Sequence, residues 1–352
     1  MAFTGRCTVT PQSGQVPSSQ TNFPVLISVT NANLKTTGNG GQVTSSSGYD
    51  IRPYSDATLT TALKFSLQYY DGTTGTVRMR VKIPTITAGT PYYLGFGDAS
   101  ITTDGTDGPN TFATHSGVWP FENGSSLILT DMTDAEFNVT NPNGATAGTA
   151  IAGAGASMDG SNDYLRVAPN LNPGNTLSLT CIIKSSDLSQ TKVIWAKRGG
   201  MTGESGGSEI FLLYTTSAGK LQLLINTGAD SGVFNNSSLI GATTLSTNTV
   251  YVIHATYDGT TARLYINGTA DANTASWSGN MNSGSSAIHF GDDNTAGRFF
   301  QGTFRNFEIT STVRSADWCA TDANMWLAPS TFATYSFDTP PAGARTSFYL
   351  IG

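Results

Sequence analysis

YVIHATYDGTTARLYINGT, residues Tyr251–Thr269, is the stretch that decides the fold. It reads as two strands and the turn between them. Tyr251–Tyr257 is rich in β-branched and aromatic residues, Asp258-Gly259 is a tight-turn pair, and Ala262–Asn267 resumes a period of two. In the second strand Leu264 and Ile266 take one face, and Arg263, Tyr265 and Asn267 take the other. That is the pattern of a sheet packed on one side and wet on the other. A second turn, Asn267-Gly268, follows at once. Such a meander is not stable alone and needs a second sheet over its apolar face.

Length and composition set the frame. The 352 residues have room for about two domains. Charged residues make up only 12%, with Gly, Ser, Thr and Asn abundant. Aromatic and β-branched residues nevertheless recur in short, regularly spaced runs, which separates this chain from a disordered one. The reading is an all-β protein with many Gly-rich turns. A net charge of −6 and a pI near 5.0 argue against nucleic acid or an anionic membrane as partner, since either wants a basic face. No apolar run approaches the length of a membrane span.

The first residues, MAFTGRCTVTPQSGQ, contain no apolar core or cleavage site, so no secretory signal is expected and synthesis in a host cytoplasm is inferred. Cys7, Cys181 and Cys319 are an odd, widely spaced set, read as small buried hydrophobes in reduced surroundings.

Four pieces of the second half fall in a characteristic order. They are Ser157-Met158-Asp159-Gly160-Ser161-Asn162-Asp163-Tyr164-Leu165, the central hairpin, Ile288-His289-Phe290-Gly291, and Phe300–Ile309. Together they resemble the concanavalin A-like, laminin-G-like family. That resemblance implies a jelly-roll β-sandwich, and implies no single function. In relatives the position of Trp119-Pro120 often carries an aromatic-His pair, so no histidine chemistry transfers here.

Upstream, Asn22-Phe23-Pro24-Val25, Gly48–Arg52, Val81–Pro84 and Tyr92–Gly97 resemble a small β-domain that often precedes such modules in bacterial and phage proteins. The chain departs from that pattern at Leu63-Lys64-Phe65, where an acidic residue is expected, which puts any charge pair there in doubt. The expected organisation is a smaller N-terminal β-sandwich domain over residues 1–102, a jelly roll over 103–328, and a C-terminal arm over 329–352. Ala99–Thr114, polar and rich in Asp, Gly and Thr, is the linker candidate. Asn141–Gly155 reads as a loop of small residues. Ser315–Trp326 is the one convincing helix, with Ser315 as cap and Asp317 in its first turn. The arm ends in the apolar run Ser347–Ile351 and is expected to pack on the N-terminal domain or on a neighbouring subunit.

No catalytic constellation emerges. Asp131, Asp134 and Glu136 in LTDMTDAEF lack the spacing that would put two carboxylates on one strand face, and Glu204 stands without a partner in a Gly-rich loop. His115, His254 and His289 form no triad, and two of them fall inside expected strands. Laminin-G-like and lectin-like sandwiches frequently hold calcium at one rim, and Ca²⁺ needs about six to eight oxygens from converging loops. The acidic loops that would supply them are Asp159, Asn162 and Asp163 in one, and Asp292 and Asp293 in the other; Asp-Gly and Asp-Asp-Asn are equally ordinary turns. Sugar binding needs an exposed aromatic beside hydrogen-bonding groups. Trp277 with Asn280, and Asp292, Asp293 and Asn294, are the carbohydrate-binding candidates, against the reading of Trp277 as cover for a sandwich edge.

The expected function is a non-enzymatic bacteriophage virion protein: a capsid-decoration, head-fibre or tail-surface subunit in many copies or as a homo-oligomer. It would dock on other virion proteins and bind a host cell-surface glycan. The alternatives are a bacterial glycan-binding or glycan-degrading surface protein, or a calcium-dependent adhesion module.

Overall fold

The computed structural model describes residues 3–122, 127–133, 137–151, 154–169, 171–200, 209–227, 238–277 and 279–338. Its 46% strand and 9% helix content makes it all-β, with sandwich-type sheets. The chain divides into two compact units: Met1–Phe112 with Ala320–Gly352, and Ala113–Cys319.

In the first unit, strands Ala333–Asp338, Gly5–Pro11, Tyr92–Phe96 and Arg52–Tyr54 lie in that order in an antiparallel sheet. Gln20–Thr30, Thr76–Ile86 and Phe65–Asp71 form a second, three-stranded sheet. Alternation directs Cys7, Val9, Leu94 and Phe96 inward, and all are at most 1% exposed. Arg80 is fully buried on the three-stranded sheet. Its guanidinium lies 5.4 Å from the Phe112 ring and 5.3 Å from Trp326, and its Nε donates to the Pro24 carbonyl at 2.8 Å. Cation–π contact on two faces compensates the loss of water around that charge.

Residues 333–338 of the expected arm form a strand paired with Gly5–Pro11: Arg6 lies opposite Asp338, and their side chains form a two-toothed ion pair at 2.9 and 2.7 Å. The rest of the expected arm, 339–352, lies outside the described residues. The stretch Ala99–Thr114 is no free linker, because the Asp107 amide donates to the Phe65 carbonyl and Lys64 Nζ meets Asp107 Oδ2 at 2.7 Å. The unit boundary falls near its end, between Phe112 and Ala113.

The second unit is a jelly roll of two sheets. One runs Thr269–Ser276, Thr261–Ile266, Val250–Tyr257, Leu177–Ser185, Gln301–Thr310, Ala154–Asp159, Thr146–Ile151, with Gly117–Trp119 also on Gln301–Thr310. The other runs Ser238–Thr244, Lys220–Ile225, Phe211–Thr215, Lys192–Lys197, Ile288–Phe290, Leu165–Val167, Val139–Thr140. The central hairpin pairs Ile253 with Ile266 and Tyr257 with Ala262, as its alternation requires. Trp119, Trp195, Phe290 and Phe307 form an aromatic cluster between the sheets, with centroids 4.7–6.2 Å apart. Asp271 ties an edge of one sheet to an edge of the other by accepting from the amides of Ala242 (2.7 Å) and Thr243 (2.9 Å).

The wet face expected on the hairpin is wet only in part: Arg263 keeps 40% of its side-chain surface in solvent and Asn267 is half-buried, but Tyr265, with His254 and Thr256 beside it, is buried at 5%, 1% and 2% exposure. Trp318 stands edge-on to His254 (5.8 Å, 89°), and Arg314 stacks on Trp318 at 4.4 Å. The chain after the last strand of this sheet has folded back over it. The expected helix is present as Ala316–Leu327, with the Trp318 amide donating to Ser315 Oγ. The small-residue stretch read as a loop instead supplies strand Thr146–Ile151.

Candidate functional site

The sequence candidates separate into three places. Asp159 closes a turn: its Oδ1 accepts from the amides of Ser161 (2.8 Å), Asn162 (3.2 Å) and Asp163 (3.3 Å). Those donors, the Ser161 N–H foremost, hold its carboxyl below the ordinary carboxylate range. Asp163 is buried and shifted upward by that burial, although its Oδ2 accepts from the Asp159 amide. Asn162 lies on the exposed surface of the same turn.

Pairing of Leu165 with Phe290 brings this turn beside the loop that follows Ile288–Phe290. Tyr164 stacks on His289 (4.9 Å, 15°), and His289 Nδ1 lies 3.5 Å from Asp292 Oδ2. Asp292 Oδ1 accepts from the Asn294 amide at 2.6 Å, and Asn294 Nδ2 reaches the Gly200 carbonyl. The two acidic loops are therefore neighbours. Among the described residues, however, no three of His, Cys, Asp and Glu converge to hold a metal ion.

Trp277 lies apart, at the end of an edge strand of the other sheet. Its ring packs on Tyr257 at 5.7 Å, its amide donates to the Thr260 carbonyl, and it is half-buried against the core. That is the position of a residue covering the sandwich edge. Asn280 is exposed nearby.

Asp131 is structural. It is 6% exposed and accepts from the amides of Val118, Thr133 and Phe137 and from the Thr133 hydroxyl. Asp134, Glu136 and Glu204 lie outside the described residues. His115 is buried, with Nε2 at 3.2 Å from Glu308 and 3.0 Å from the Arg314 guanidinium.

The richest polar arrangement gathers around Asp293. Arg198, just after strand Lys192–Lys197, donates to Glu209 Oε1 at 2.9 and 3.2 Å and to Asp293 Oδ2 at 3.3 Å. Arg298 reaches the same Asp293 oxygen at 3.0 Å. Both carboxylates are under 10% exposed, whereas Arg198 and Arg298 keep 26% and 37% of their side-chain surface in solvent. Glu209 Oε2 is buried, with no hydrogen-bond partner among the described residues. Burial raises the Glu209 pKa against the pull of Arg198, and Asp293 adds to the rise. Burial raises the pKa of Tyr214, on an outward position of Phe211–Thr215, with the charge of Arg298 opposing the rise and that of Asp293 adding to it.

Two guanidiniums and two carboxylates sum to no net charge. What the cluster offers is an unsatisfied acceptor beside solvent-facing donors, the combination that a hydroxyl, donor and acceptor at once, can satisfy. Sequence reading flagged Asp293 but missed Arg198, Glu209 and Arg298. Its one available signal was the basic residue closing GDDNTAGR.

Residues 159–320 match the family model of the concanavalin A-like lectin/glucanases superfamily. No curated protein sequence matches the chain. Among solved structures, the binding domain of Paraclostridial Mosquitocidal Protein 1 is 13% identical, covering 60% of this chain and 52% of its own, at TM-score 0.48. The botulinum neurotoxin serotype D ligand binding domain in complex with N-acetylneuraminic acid is 19% identical, covering 60% and 50%, at TM-score 0.46. Domain 4 of AbnA, a GH43 extracellular arabinanase from Geobacillus stearothermophilus, in complex with arabinotriose, is 15% identical, covering 60% and 98%, at TM-score 0.43. The chain spans about half the length of the toxin domains it matches, and none of these similarities assigns it a ligand. The two-sheet architecture is a lectin-like jelly roll, and residues 159–320 within it match the model of the concanavalin A-like lectin/glucanases superfamily.

Proposed function

We propose that the chain is a non-enzymatic glycan-binding protein whose sugar site is the Arg198–Glu209–Asp293–Arg298 cluster of the jelly roll. The observation that carries this is the buried Glu209 Oε2, unpartnered among the described residues, beside two solvent-facing guanidiniums. A sugar hydroxyl supplies the missing donor and accepts in turn from Arg298. The test is a glycan array read with the wild-type chain, Glu209→Gln and Arg298→Ala. Hydrogen bonds to charged groups contribute about 1.5–3 kcal/mol each, so either substitution weakens a bound glycan by about tenfold or more. Unchanged binding in both variants, or no bound glycan, overturns the assignment. Release of new reducing ends from a bound polysaccharide would favour the glycan-degrading alternative, to which the raised Glu209 pKa beside Asp293 lends its only support.

The proposed setting is the surface of a bacteriophage particle, with the chain in many copies docked on capsid or tail proteins. Its support is the pairing of a small β-unit with a laminin-G-like jelly roll, the arrangement that the N-terminal motifs resemble. Mass spectrometry of purified virions tests it; particles without this chain would remove it.

A further inference from the structure

The first unit contains a cleft of about 390 Å³, within the size range of small-molecule sites. One wall is the stretch Ala62–Phe65, the other the loop from Ile101 to Asp107, and Pro53 and Tyr54 contribute to its floor. The lining is chiefly apolar. Burial pushes the Tyr54 phenol up to about 12, so that ring is neutral too. A sugar, with a hydroxyl on nearly every carbon, would lose more hydrogen bonds to water here than these walls return.

Two polar features stand out against that lining. Lys64 and Asp107 join the two walls across the rim at 2.7 Å. Arg52 enters from the edge strand, its guanidinium 5.3 Å from the Phe65 ring and its Nη2 donating to the Thr103 carbonyl at 2.7 Å. Burial lowers the Arg52 pKa, against the pull of Asp104, Tyr54 and Asp50. Among the described residues Thr103 is the only hydrogen-bond acceptor Arg52 meets. A guanidinium carries five N–H donors, so a half-buried cation here retains unused ones. A Cβ on Gly105 would overlap the Arg52 guanidinium, so glycine there leaves the guanidinium its present place.

We propose that this cleft binds a small aromatic or branched aliphatic acid, its apolar body between Leu63 and Ile101 and its anionic group on Arg52. The site lies in the other unit from the glycan cluster and does not rest on that reading. It gives the chain a second recognition chemistry, apolar and anionic where the first is hydroxyl-directed.

The probe is 1-anilinonaphthalene-8-sulfonate, an aromatic anion that fluoresces when taken out of water, titrated into the full chain. The wild type is expected to show one saturable site. Leu63→Trp and Ile101→Trp, which fill the cleft from opposite walls, are each expected to abolish it. Arg52→Met, which keeps the stem and removes the donors, is expected to weaken it by about tenfold, while leaving the uncharged analogue N-phenyl-1-naphthylamine unaffected. Circular dichroism melts identify which filled variants are folded, and having two keeps the test decisive if one is not. No saturable binding, binding that survives in a folded filled variant, or equal loss of the charged and uncharged probes in Arg52→Met overturns the proposal.

Discussion

Arg305 and Glu122 form a buried ion pair on the outward side of the jelly roll's larger sheet, and replacing Arg305 with Met tests the account of that unit most severely. Arg305 Nη2 donates to Glu122 Oε2 at 2.9 Å, and neither side chain is more than 1% exposed. Phe304 and Phe307 on the same strand belong to the aromatic core, while Arg305 pairs away from it. Methionine keeps most of the stem volume but leaves the Glu122 carboxylate buried without its guanidinium.

Breaking one side of such a pair costs about 3–5 kcal/mol. A unit of this size shifts its melting temperature by about 2–4 °C per kcal/mol, so the expected loss is about 6–20 °C. The melt is followed by tryptophan fluorescence, since Trp119 and Trp195 are fully buried in this core. Removing both charges, in Glu122→Leu with Arg305→Met, is expected to recover most of the loss, because an apolar pair of similar volume can replace a buried ion pair at little cost. A single variant within about 2 °C of the wild type would refute the reasoning. So would a double variant as damaged as the two singles combined, because it would show the two residues to be uncoupled.

Three further outcomes are expected. Burial opposes the charge of Asp271, but the amides of Ala242, Asn273 and Thr243 outweigh it and depress its pKa, so its stabilisation holds above the unfolded carboxylate value and is lost as pH falls through the lower folded one; acid melts of Asp271→Asn should lose that part of the pH dependence. Burial pushes the Cys7 thiol up to about 12 and Cys181 up as well, and Cys319 is also buried, so Ellman's reagent should find no fast-reacting thiol until the chain is unfolded. Asp293 already holds two guanidiniums, so calcium addition or chelation should leave the melting temperature unchanged, as calorimetry can check.

The elements legible in the sequence were those whose side chains alternate strongly. Val250–Tyr257 and Thr261–Ile266 announce themselves through Leu264 and Ile266 set against Arg263, and Gln301–Thr310 through its phenylalanines. Thr146–Ile151, written TAGTAI, was hidden because small residues give no contrast between two faces. The buried polar face of the hairpin was hidden for another reason. Polarity at Arg263 and His254 reads as exposure, which holds at Arg263, while the return of Trp318 and Arg314 over the sheet covers His254. The polar cluster was the least legible part. Arg198 lies eleven residues from Glu209 and ninety-five from Asp293, so only the pairing of Lys192–Lys197 with both Phe211–Thr215 and Ile288–Phe290 brings them together.

That return of the chain also bears on which surface of the jelly roll is left for recognition. On the outward side of the larger sheet His254, Thr256, Arg305 and Glu308 are at most 2% exposed. Arg314 there meets His115 and Thr114 through Nη2 while stacking on Trp318, so that face is engaged within the chain. The smaller sheet differs. Its outward positions include the half-exposed Tyr214 and Gln222 and the 47% exposed Ile240, and Asp293 and Arg298 act on Tyr214 from the neighbouring loop. If a glycan binds this unit through a sheet face, that face is the smaller sheet's. Gln222→Trp, at a position facing away from the core, should then perturb glycan affinity without changing stability, whereas Thr256→Trp on the larger sheet should unfold the unit before it alters binding. The reverse pattern would place recognition on the surface the chain has closed.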